Sequence, residues 1–237
     1  MIKELNHVGL RMLDLDKGLH LYRDTLGGQV ILNALSLDGK GHIIYVQMGN
    51  TVIELILTRD AAAQGYAHLA FLLKGKDLDA MYEKLLGQGY AFSMAPKLAG
   101  TGNGRLAFFD NGAGLTLELV ERTEDIRRTP FATEAFQKLD HITVCVPADH
   151  LADTARIFVQ ELGFVRENDR RFRLGDDVIE MEDMAPGRGT LDNLVFHIKD
   201  AAATEALLRQ NGYAPERQGN ELALTGPAGE KLVFVQE

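Results

Sequence analysis

Residues 5–30, LNHVGLRMLDLDKGLHLYRDTLGGQV, decide the fold, because the chain repeats their pattern once. The stretch LDHITVCVPADHLADTARIFVQELGFV at 139–165 has the same order of a strand, an amphipathic helix and a glycine turn. This match places His7 over His141. Repetition on this scale indicates that two similar units follow each other along the chain.

The second half of each unit repeats as well. HLAFLLKGKDLDAMYEKLLGQGYA at 68–91 matches NLVFHIKDAAATEALLRQNGYAP at 193–215, which places His68 over Asn193. Short runs of β-type pattern, separated by Gly, Asn or Asp, follow the helices. The pattern predicts an α+β fold of four βαβββ modules. Since one module exposes a sheet face that it cannot bury alone, the modules should pair into curved mixed sheets around a cleft.

The length of 237 residues fits two domains. Residues from about 121 to 138 have no counterpart in the repeat and read as a linker that could be partly helical. We therefore predict a first domain at 1–122, a linker at 123–137 and a second domain at 138–237.

Composition restricts the partners and the compartment. The formal net charge of −9 and the lack of a Lys/Arg cluster argue against a nucleic-acid partner. No stretch approaches a membrane span, and the start resembles neither a signal nor a transit peptide, so we expect no membrane partner and a cytoplasmic location. The single cysteine, Cys145, cannot form an internal disulfide. The expected partner is a small-molecule substrate, bound by a monomer or homodimer.

Polar side chains interrupt apolar strand patterns in the first unit. Glu54 lies in TVIELIL, His68 in YAHLAFLL, Glu118 in LTLELV and His7 in LNHVGL. A carboxylate among aliphatic neighbours is strongly destabilised unless a cation or a hydrogen-bond donor meets it. Two imidazoles and two carboxylates suit one divalent ion, such as Ni²⁺, Zn²⁺, Mn²⁺, Co²⁺ or Fe²⁺.

The second unit serves as an internal control for this metal site. Asn193 replaces His68 there, and Val233 replaces Glu118, so the fold does not need those polar groups. We predict a complete site in the first domain and a degenerate second domain.

A crossed pairing of the modules stays open from the sequence. If the second module paired with the third, Glu180 in DDVIEMED would take the place of Glu54. The ligands of that crossed site would be His68, Glu118, His141 and Glu180.

At this point the chain resembles the vicinal-oxygen-chelate superfamily, which includes glyoxalase I, extradiol dioxygenases and bleomycin-binding proteins. The resemblance covers nearly the whole chain except the linker. It is carried by HVGLRMLDLDKGLHLYRDTLG, VIEL, AHLAF and FFDNGAGLTLEL. It implies two glyoxalase-type domains.

Within that superfamily, the set His7, Glu54, His68 and Glu118 resembles the ligands of glyoxalase I most. The resemblance implies a metal-dependent lyase or isomerase, in which the metal chelates the oxygens of a hemithioacetal and Glu118 or Glu54 moves the proton. It also implies substrate binding by Arg11, which matches a glyoxalase arginine that contacts the glutathione part of the substrate.

Two alternatives remain from the sequence. An extradiol ring-cleaving dioxygenase would use His7, His68 and Glu118 around Fe(II), although Phe108 stands where such enzymes usually carry a tyrosine. A metal-free small-molecule binding or resistance protein would leave Glu54 and Glu118 buried without a partner. The substrate would depend on cleft walls formed by the loops at 97–104 and 36–41.

Overall fold

Two eight-stranded mixed sheets make up the fold in the computed structural model, which describes residues 1–37, 39, 41–184 and 189–236. The strands of the first sheet come from residues 2–121 and those of the second from residues 138–236. No helix in these ranges is long and apolar enough to cross a membrane.

The first sheet is built from two βαβββ modules, as predicted. Its strands are β1 (Ile2–Met12), β2 (Gln29–Leu35), β3 (His42–Met48), β4 (Thr51–Leu57), β5 (Gly65–Leu73), β6 (Phe92–Leu98), β7 (Arg105–Asp110) and β8 (Thr116–Glu121). Helix α1 (Leu15–Leu19) continues as a π-helical segment (His20–Thr25), and α2 is Leu78–Gly87. A 3₁₀ turn lies at Ala61–Ala63.

The second sheet repeats this order. Its strands are β9 (Lys138–Pro147), β10 (Val165–Arg166), β11 (Arg171–Leu174), β12 (Asp177–Met184), β13 (Thr190–Ile198), β14 (Glu216–Gln218), β15 (Glu221–Thr225) and β16 (Lys231–Gln236). Helix α3 (Leu151–Arg156) follows a 3₁₀ turn (Ala148–His150) and continues as a π-helical segment (Ile157–Glu161), and α4 is Ala201–Gln210.

Strand pairing joins the modules within each unit. The first sheet has the order β2-β3-β4-β1-β5-β8-β7-β6, and the second has the matching order β10-β11-β12-β9-β13-β16-β15-β14. The central strand β1 pairs in parallel with β4 and antiparallel with β5, and β9 pairs in the same way with β12 and β13. The crossed pairing is therefore not formed, since β9 bonds to β13 rather than to β5.

Helix capping follows the sequence signals. The Asp14 carboxylate accepts hydrogen bonds from the backbone N–H groups of Asp16 and Lys17, and starts α1. Asp200 caps α4 in the same way. The π-helical segment after α1 ends at Thr25, and Gly27 follows its C-cap Leu26 with a φ of 79°, in the left-handed region that glycine tolerates.

The connection between the sheets is held in an extended form, and residues 122–137 contain no helix, contrary to the partly helical reading. Gln47 binds both backbone polar groups of Arg128: its Oε1 accepts from the N–H at 2.7 Å and its Nε2 donates to the carbonyl at 2.8 Å. Thr133 Oγ1 donates to the Leu26 carbonyl at 3.0 Å. These hydrogen bonds satisfy backbone groups of the connection without a helix. One apolar core cluster includes residues of both sheets.

A pair of glycines provides a test of the tight turn before β7. Gly104 and Gly89 have nearly equal positive φ values, 90° and 89°. A Cβ on Gly104 would lie 1.8 Å from the Glu121 carbonyl oxygen, whereas a Cβ on Gly89 would meet nothing within 4 Å. We expect Gly89→Ala to lower the free energy of unfolding by about 1–2 kcal/mol through backbone strain alone, and Gly104→Ala by roughly 1–3 kcal/mol more, because the strand end must shift. Urea unfolding of both variants measures this difference, and equal losses would contradict the role of the Gly104 contact.

Candidate metal centre

Four neighbouring central strands of the first sheet each carry one polar side chain to a common point. They are, in strand order, Glu54 on β4, His7 on β1, His68 on β5 and Glu118 on β8. All are buried, with exposed fractions from 1% for His7 to 5% for Glu54. The structure thus brings together the four residues predicted from the sequence, on strands of one unit.

The four donor atoms converge closely. His7 Nε2 lies 3.0 Å from His68 Nε2, 3.2 Å from Glu54 Oε2 and 3.1 Å from Glu118 Oε2. His68 Nε2 lies 3.0 Å from the Oε2 atom of each carboxylate. Each imidazole therefore faces both carboxylates.

These separations fit a divalent transition-metal ion. With bonds of about 2.1 Å, donors at adjacent positions of an octahedron lie about 3.0 Å apart and those of a tetrahedron about 3.4 Å apart. The observed separations of 3.0–3.2 Å match the octahedral value. Within the described part of the chain, Glu54 Oε2 and Glu118 Oε2 are also buried without a hydrogen-bond partner. Unpaired carboxylate oxygens beside two ring nitrogens are what a bound cation would satisfy.

Small residues between the ligands make the convergence possible. Gly9 on β1 lies in register with Glu54 on one side and His68 on the other. A Cβ on Gly9 would lie 2.5 Å from His68 Cε1, so only glycine leaves room for this imidazole. Ala70 takes the equivalent place on β5, beside His7.

The turn FFDNGAGLTLEL places Glu118. Asp110 Oδ1 accepts from the N–H groups of Gly112 and Gly114, and Asn111 Oδ1 accepts from those of Ala113 and Leu115. The two side chains thus satisfy the backbone of the tight turn, and β8 starts directly after it.

The second sheet has the same strand register as the first, but it lacks the four converging side chains. The positions of the four converging side chains are occupied on β12, β9, β13 and β16 by Glu180, His141, Asn193 and Val233. Thr143 stands in register with Glu180, where Gly9 faces Glu54 in the first sheet. Arg171 forms an ion pair with Glu180, and Asp140 holds His141 Nδ1 at 2.7 Å. Neighbouring side chains of the protein therefore pair with Glu180 and His141, the two polar residues that this unit retains.

A further layer of polar side chains orients the first histidine. His7 Nδ1 donates to Asn6 Oδ1 at 3.0 Å, which directs the Nε2 lone pair toward the convergence point. Arg122 Nη2 donates to Asn6 Oδ1 at 3.1 Å and to the Tyr45 hydroxyl at 2.9 Å. The network fixes the His7 ring from the side opposite the carboxylates.

Asn6, Tyr45 and Arg122 are not predicted from the sequence. The repeat contains a signal for Asn6, because a hydrogen-bonding residue precedes the histidine in both units: Asn6 before His7 and Asp140 before His141. Asp140 makes the equivalent contact with His141 Nδ1. The predicted substrate residue Arg11 lies on β1, with Nη1 3.5 Å from the Tyr66 carbonyl oxygen. It is not among the described residues that line the cavity beside the metal centre, and its role stays a prediction.

The cavity beside the metal centre has a volume of about 200 Å³. Its walls include the apolar side chains of Ile43, Ile56, Leu106 and Phe108, the last of which lies edge-on to His68 with ring centroids 5.1 Å apart. Lys97–Thr101 contributes to one wall, as predicted for that loop, while Asp38 and Lys40 of the loop at 36–41 lie outside the described residues.

Neighbouring groups of the metal centre shift the pKa values of Glu54, Glu118 and His68 when no ion is bound. Burial alone would raise the pKa of Glu118, but His68 and His7 outweigh it and lower the pKa to about 2. The pKa of Glu54 is also lowered, since both imidazoles outweigh burial. Burial alone would lower the pKa of His68, but Glu118 and Glu54 raise it to about 9. His68 is therefore an imidazolium at neutral pH, which stabilises the ligand-free fold below about pH 6.5 and ceases to do so as the pH rises through about 9.

A second group of possible donors lies on the other unit. Cys145, Glu182 and Asp192 place one donor atom each within 4.8 Å of one another. Burial and the two carboxylates raise the pKa of the Cys145 thiol to about 11, so the thiolate that a metal requires is disfavoured there. Glu182 is also exposed.

Comparison with known proteins agrees with the fold. The family model of the Glyoxalase/Bleomycin resistance protein/Dioxygenase superfamily matches residues 4–119. No curated protein sequence matches the chain.

Solved structures share the fold over the whole chain. The 2,3-dioxygenase LapB from Pseudomonas sp. KL28 has a TM-score of 0.66 at 16% identity, covering 100% of this chain and 92% of that one. The Mn(II)-bound glyoxalase from Novosphingobium aromaticivorans has a TM-score of 0.68 at 19% identity, with coverages of 100% and 82%. Homoprotocatechuate 2,3-dioxygenase from Arthrobacter globiformis has a TM-score of 0.70 at 17% identity, with coverages of 100% and 80%.

Metal binding should compete with the proton on His68. Because the pKa of His68 is about 9 in the ligand-free chain, an ion that binds at neutral pH must displace that proton. We expect the affinity for Mn²⁺ to rise about tenfold per pH unit between pH 6 and 8. Calorimetric titrations at several pH values measure the slope, and His141→Gln should leave it unchanged. An affinity that is flat over this range would contradict the assigned charge of His68.

Proposed function

Since residues 4–119 belong to the Glyoxalase/Bleomycin resistance protein/Dioxygenase superfamily, we propose that the first unit is a divalent-metal-dependent lyase or isomerase of glyoxalase type. It acts on a small substrate that presents two neighbouring oxygen atoms. The observation that carries this proposal is the convergence of two imidazole nitrogens and two carboxylate oxygens on one buried point. The ion, one of Ni, Zn, Mn, Co or Fe, would be held by His7, Glu54, His68 and Glu118.

The chemistry divides between the ion and the chain. A divalent ion in this place supplies Lewis-acid chemistry, because it polarises the substrate oxygens and makes the adjacent C–H more acidic. The chain supplies the proton acceptor: Glu54 and Glu118 are both ionised at neutral pH, and one of them takes the proton from carbon and returns it to the neighbouring position. The apolar walls around Leu106 and Phe108 limit the access of water to the reacting atoms.

An extradiol dioxygenase with Fe(II) is the second candidate. His7, His68 and Glu118 form a group whose donor atoms all lie within 4.8 Å of one another. This is the two-histidine, one-carboxylate set of non-haem iron oxygenases, and several structures with this fold are named dioxygenases. Glu54 favours the lyase, because a fourth protein donor takes a position that an oxygenase keeps open for its two reactants.

A metal-free binding protein is the third candidate. It would leave the Oε2 atoms of Glu54 and Glu118 buried without a hydrogen bond from the described residues. Without an ion, a proton on His68 would have to supply the counter-charge for both buried carboxylates, whereas a divalent ion would balance the two negative charges. The donor set therefore favours a protein that holds an ion.

Matched substitutions in the two units test the ligand set. We expect Glu54→Gln to lose the bound ion because it removes one of the two negative charges that face the imidazoles at 3.0–3.2 Å. We expect His7→Ala to lose it because it removes the ring nitrogen that faces both carboxylates at 3.1–3.2 Å. Glu180→Gln and His141→Ala change the equivalent positions of the second unit and should keep one ion per chain. Elemental analysis of protein purified without chelators measures the stoichiometry.

The outcome separates the possible sites. Loss of the ion from the Glu180 variant, or full metal content in the Glu54 and His7 variants, would show that the first unit does not hold the metal in this way. Urea unfolding of the same four variants controls for misfolding.

Oxygen dependence separates the two reactions. The lyase reading predicts that metal-loaded protein converts the hemithioacetal of methylglyoxal and a thiol at equal rates with and without air. Product formation is followed by absorbance in an anaerobic cell, and oxygen uptake with catechol by an electrode. Stoichiometric oxygen uptake with catechol, and no anaerobic turnover, would establish the dioxygenase instead.

A further inference from the structure

The charges around the cavity are unequal once an ion is present. The described residues with ionisable side chains in its walls are Tyr45, Glu54, His68, Lys97, Glu118 and Arg122, and burial keeps the Tyr45 hydroxyl neutral because it raises the pKa of that group. Glu54 and Glu118 point at the metal centre, and a divalent ion would balance their two negative charges. The cations Lys97 and Arg122 then face the cavity without an anionic counterpart in its described walls.

Arg122 is the stronger of these two features, because Lys97 is exposed to solvent whereas Arg122 is partly buried. Its guanidinium donates to three neutral acceptors: Asn6 Oδ1 at 3.1 Å, the Tyr45 hydroxyl at 2.9 Å and the Asn103 carbonyl oxygen at 3.2 Å. These bonds fix the group in place without neutralising it.

Several other arginines of the chain are paired with carboxylates, although Arg11 and Arg128 bond to neutral groups as Arg122 does. Arg105 forms an ion pair with Asp79 at 2.6 Å, and Arg171 pairs with Glu180. Among the described residues, Arg122 forms no ion pair within 4 Å. A positioned guanidinium that has no carboxylate within ion-pair distance, at the wall of a cavity, is suited to bind a carboxylate or another planar anion.

The size of the cavity limits the ligand. Pockets for drug-sized molecules usually measure about 300–1,000 Å³, whereas this cavity measures about 200 Å³. A glutathione adduct is a poor fit to that volume, and a molecule of one ring or a few carbon atoms is a better one. Ile43, Ile56 and Phe108 supply apolar contacts for its carbon skeleton.

We propose that the substrate is a small organic anion whose carboxylate pairs with Arg122 while two neighbouring oxygens face the metal centre. This inference rests on the proposed function, since it assumes a metal-loaded first unit. It gives Arg122 the role of selecting the charge of the substrate, and Lys97 that of a second cation at the mouth.

Paired probes test this charge selection. Catechol and 3,4-dihydroxybenzoate carry the same two neighbouring oxygens and differ by one carboxylate. Binding of each to protein saturated with Mn²⁺ is measured by calorimetry, with metal content checked in every sample. We expect the wild-type chain to bind the carboxylate-bearing probe at least about tenfold more tightly, since a charge-assisted pair is formed. Arg122→Gln should abolish this preference at full Mn²⁺ load, and Arg122→Lys should restore part of it.

Arg105→Gln is the matched control, because it removes an arginine of the same sheet whose partner is the surface carboxylate Asp79. It should keep the preference of the wild-type chain. Equal binding of the two probes by the wild-type chain, an unchanged preference in Arg122→Gln, or tighter binding of S-hexylglutathione than of 3,4-dihydroxybenzoate would overturn the inference. Failure to take up Mn²⁺ and each of Ni²⁺, Zn²⁺, Co²⁺ and Fe²⁺ would refute the proposed function, so the two failures are distinguishable.

Discussion

The mutual contact of two buried imidazoles and two buried carboxylates is the constraint on which the rest of the first unit depends. All four groups are buried, and each imidazole nitrogen lies 3.0–3.2 Å from the other imidazole and from both carboxylate oxygens. In the ligand-free chain a proton on His68 supplies the counter-charge. A divalent ion supplies two positive charges at the same point and satisfies the carboxylate oxygens that lack a hydrogen bond from the described residues.

The residues at equivalent register positions explain why this cluster forms in one unit and not in the other. Gly9 leaves the volume into which the His68 ring fits, and a side chain there would overlap it. Thr143 occupies the matching place in the second sheet, where Arg171 neutralises Glu180. The same backbone thus supports a site of converging donors in one sheet and a set of ordinary ion pairs in the other.

Much of this arrangement is predictable from the sequence, for a physical reason. A carboxylate within TVIELIL breaks an apolar strand, and the repeat shows which of these groups the fold does not require, since Asn193 and Val233 replace two of them. The four βαβββ modules follow from periodicity and glycine turns, and the structure confirms them. The superfamily resemblance is confirmed as well, by the match over residues 4–119.

The remaining features depend on contacts that no pattern encodes. All four modules read alike, so their pairing within the units is decided by strand contacts such as those of β1 with β5. The amphipathic helices predicted after β1 and β9 continue as π-helical segments, which the sequence pattern does not distinguish from α-helix. Asn6, Tyr45 and Arg122 meet only through the folded sheet, because Arg122 bonds to both of the others across large separations in sequence.

The most direct test is anomalous diffraction from crystals of the protein loaded with a single first-row metal. We predict one strong peak within about 2.0–2.3 Å of the Nε2 atoms of His7 and His68 and of carboxylate oxygens of Glu54 and Glu118. A chain that binds no ion in this place, or whose ion lies instead beside Cys145, Glu182 and Asp192, would contradict it.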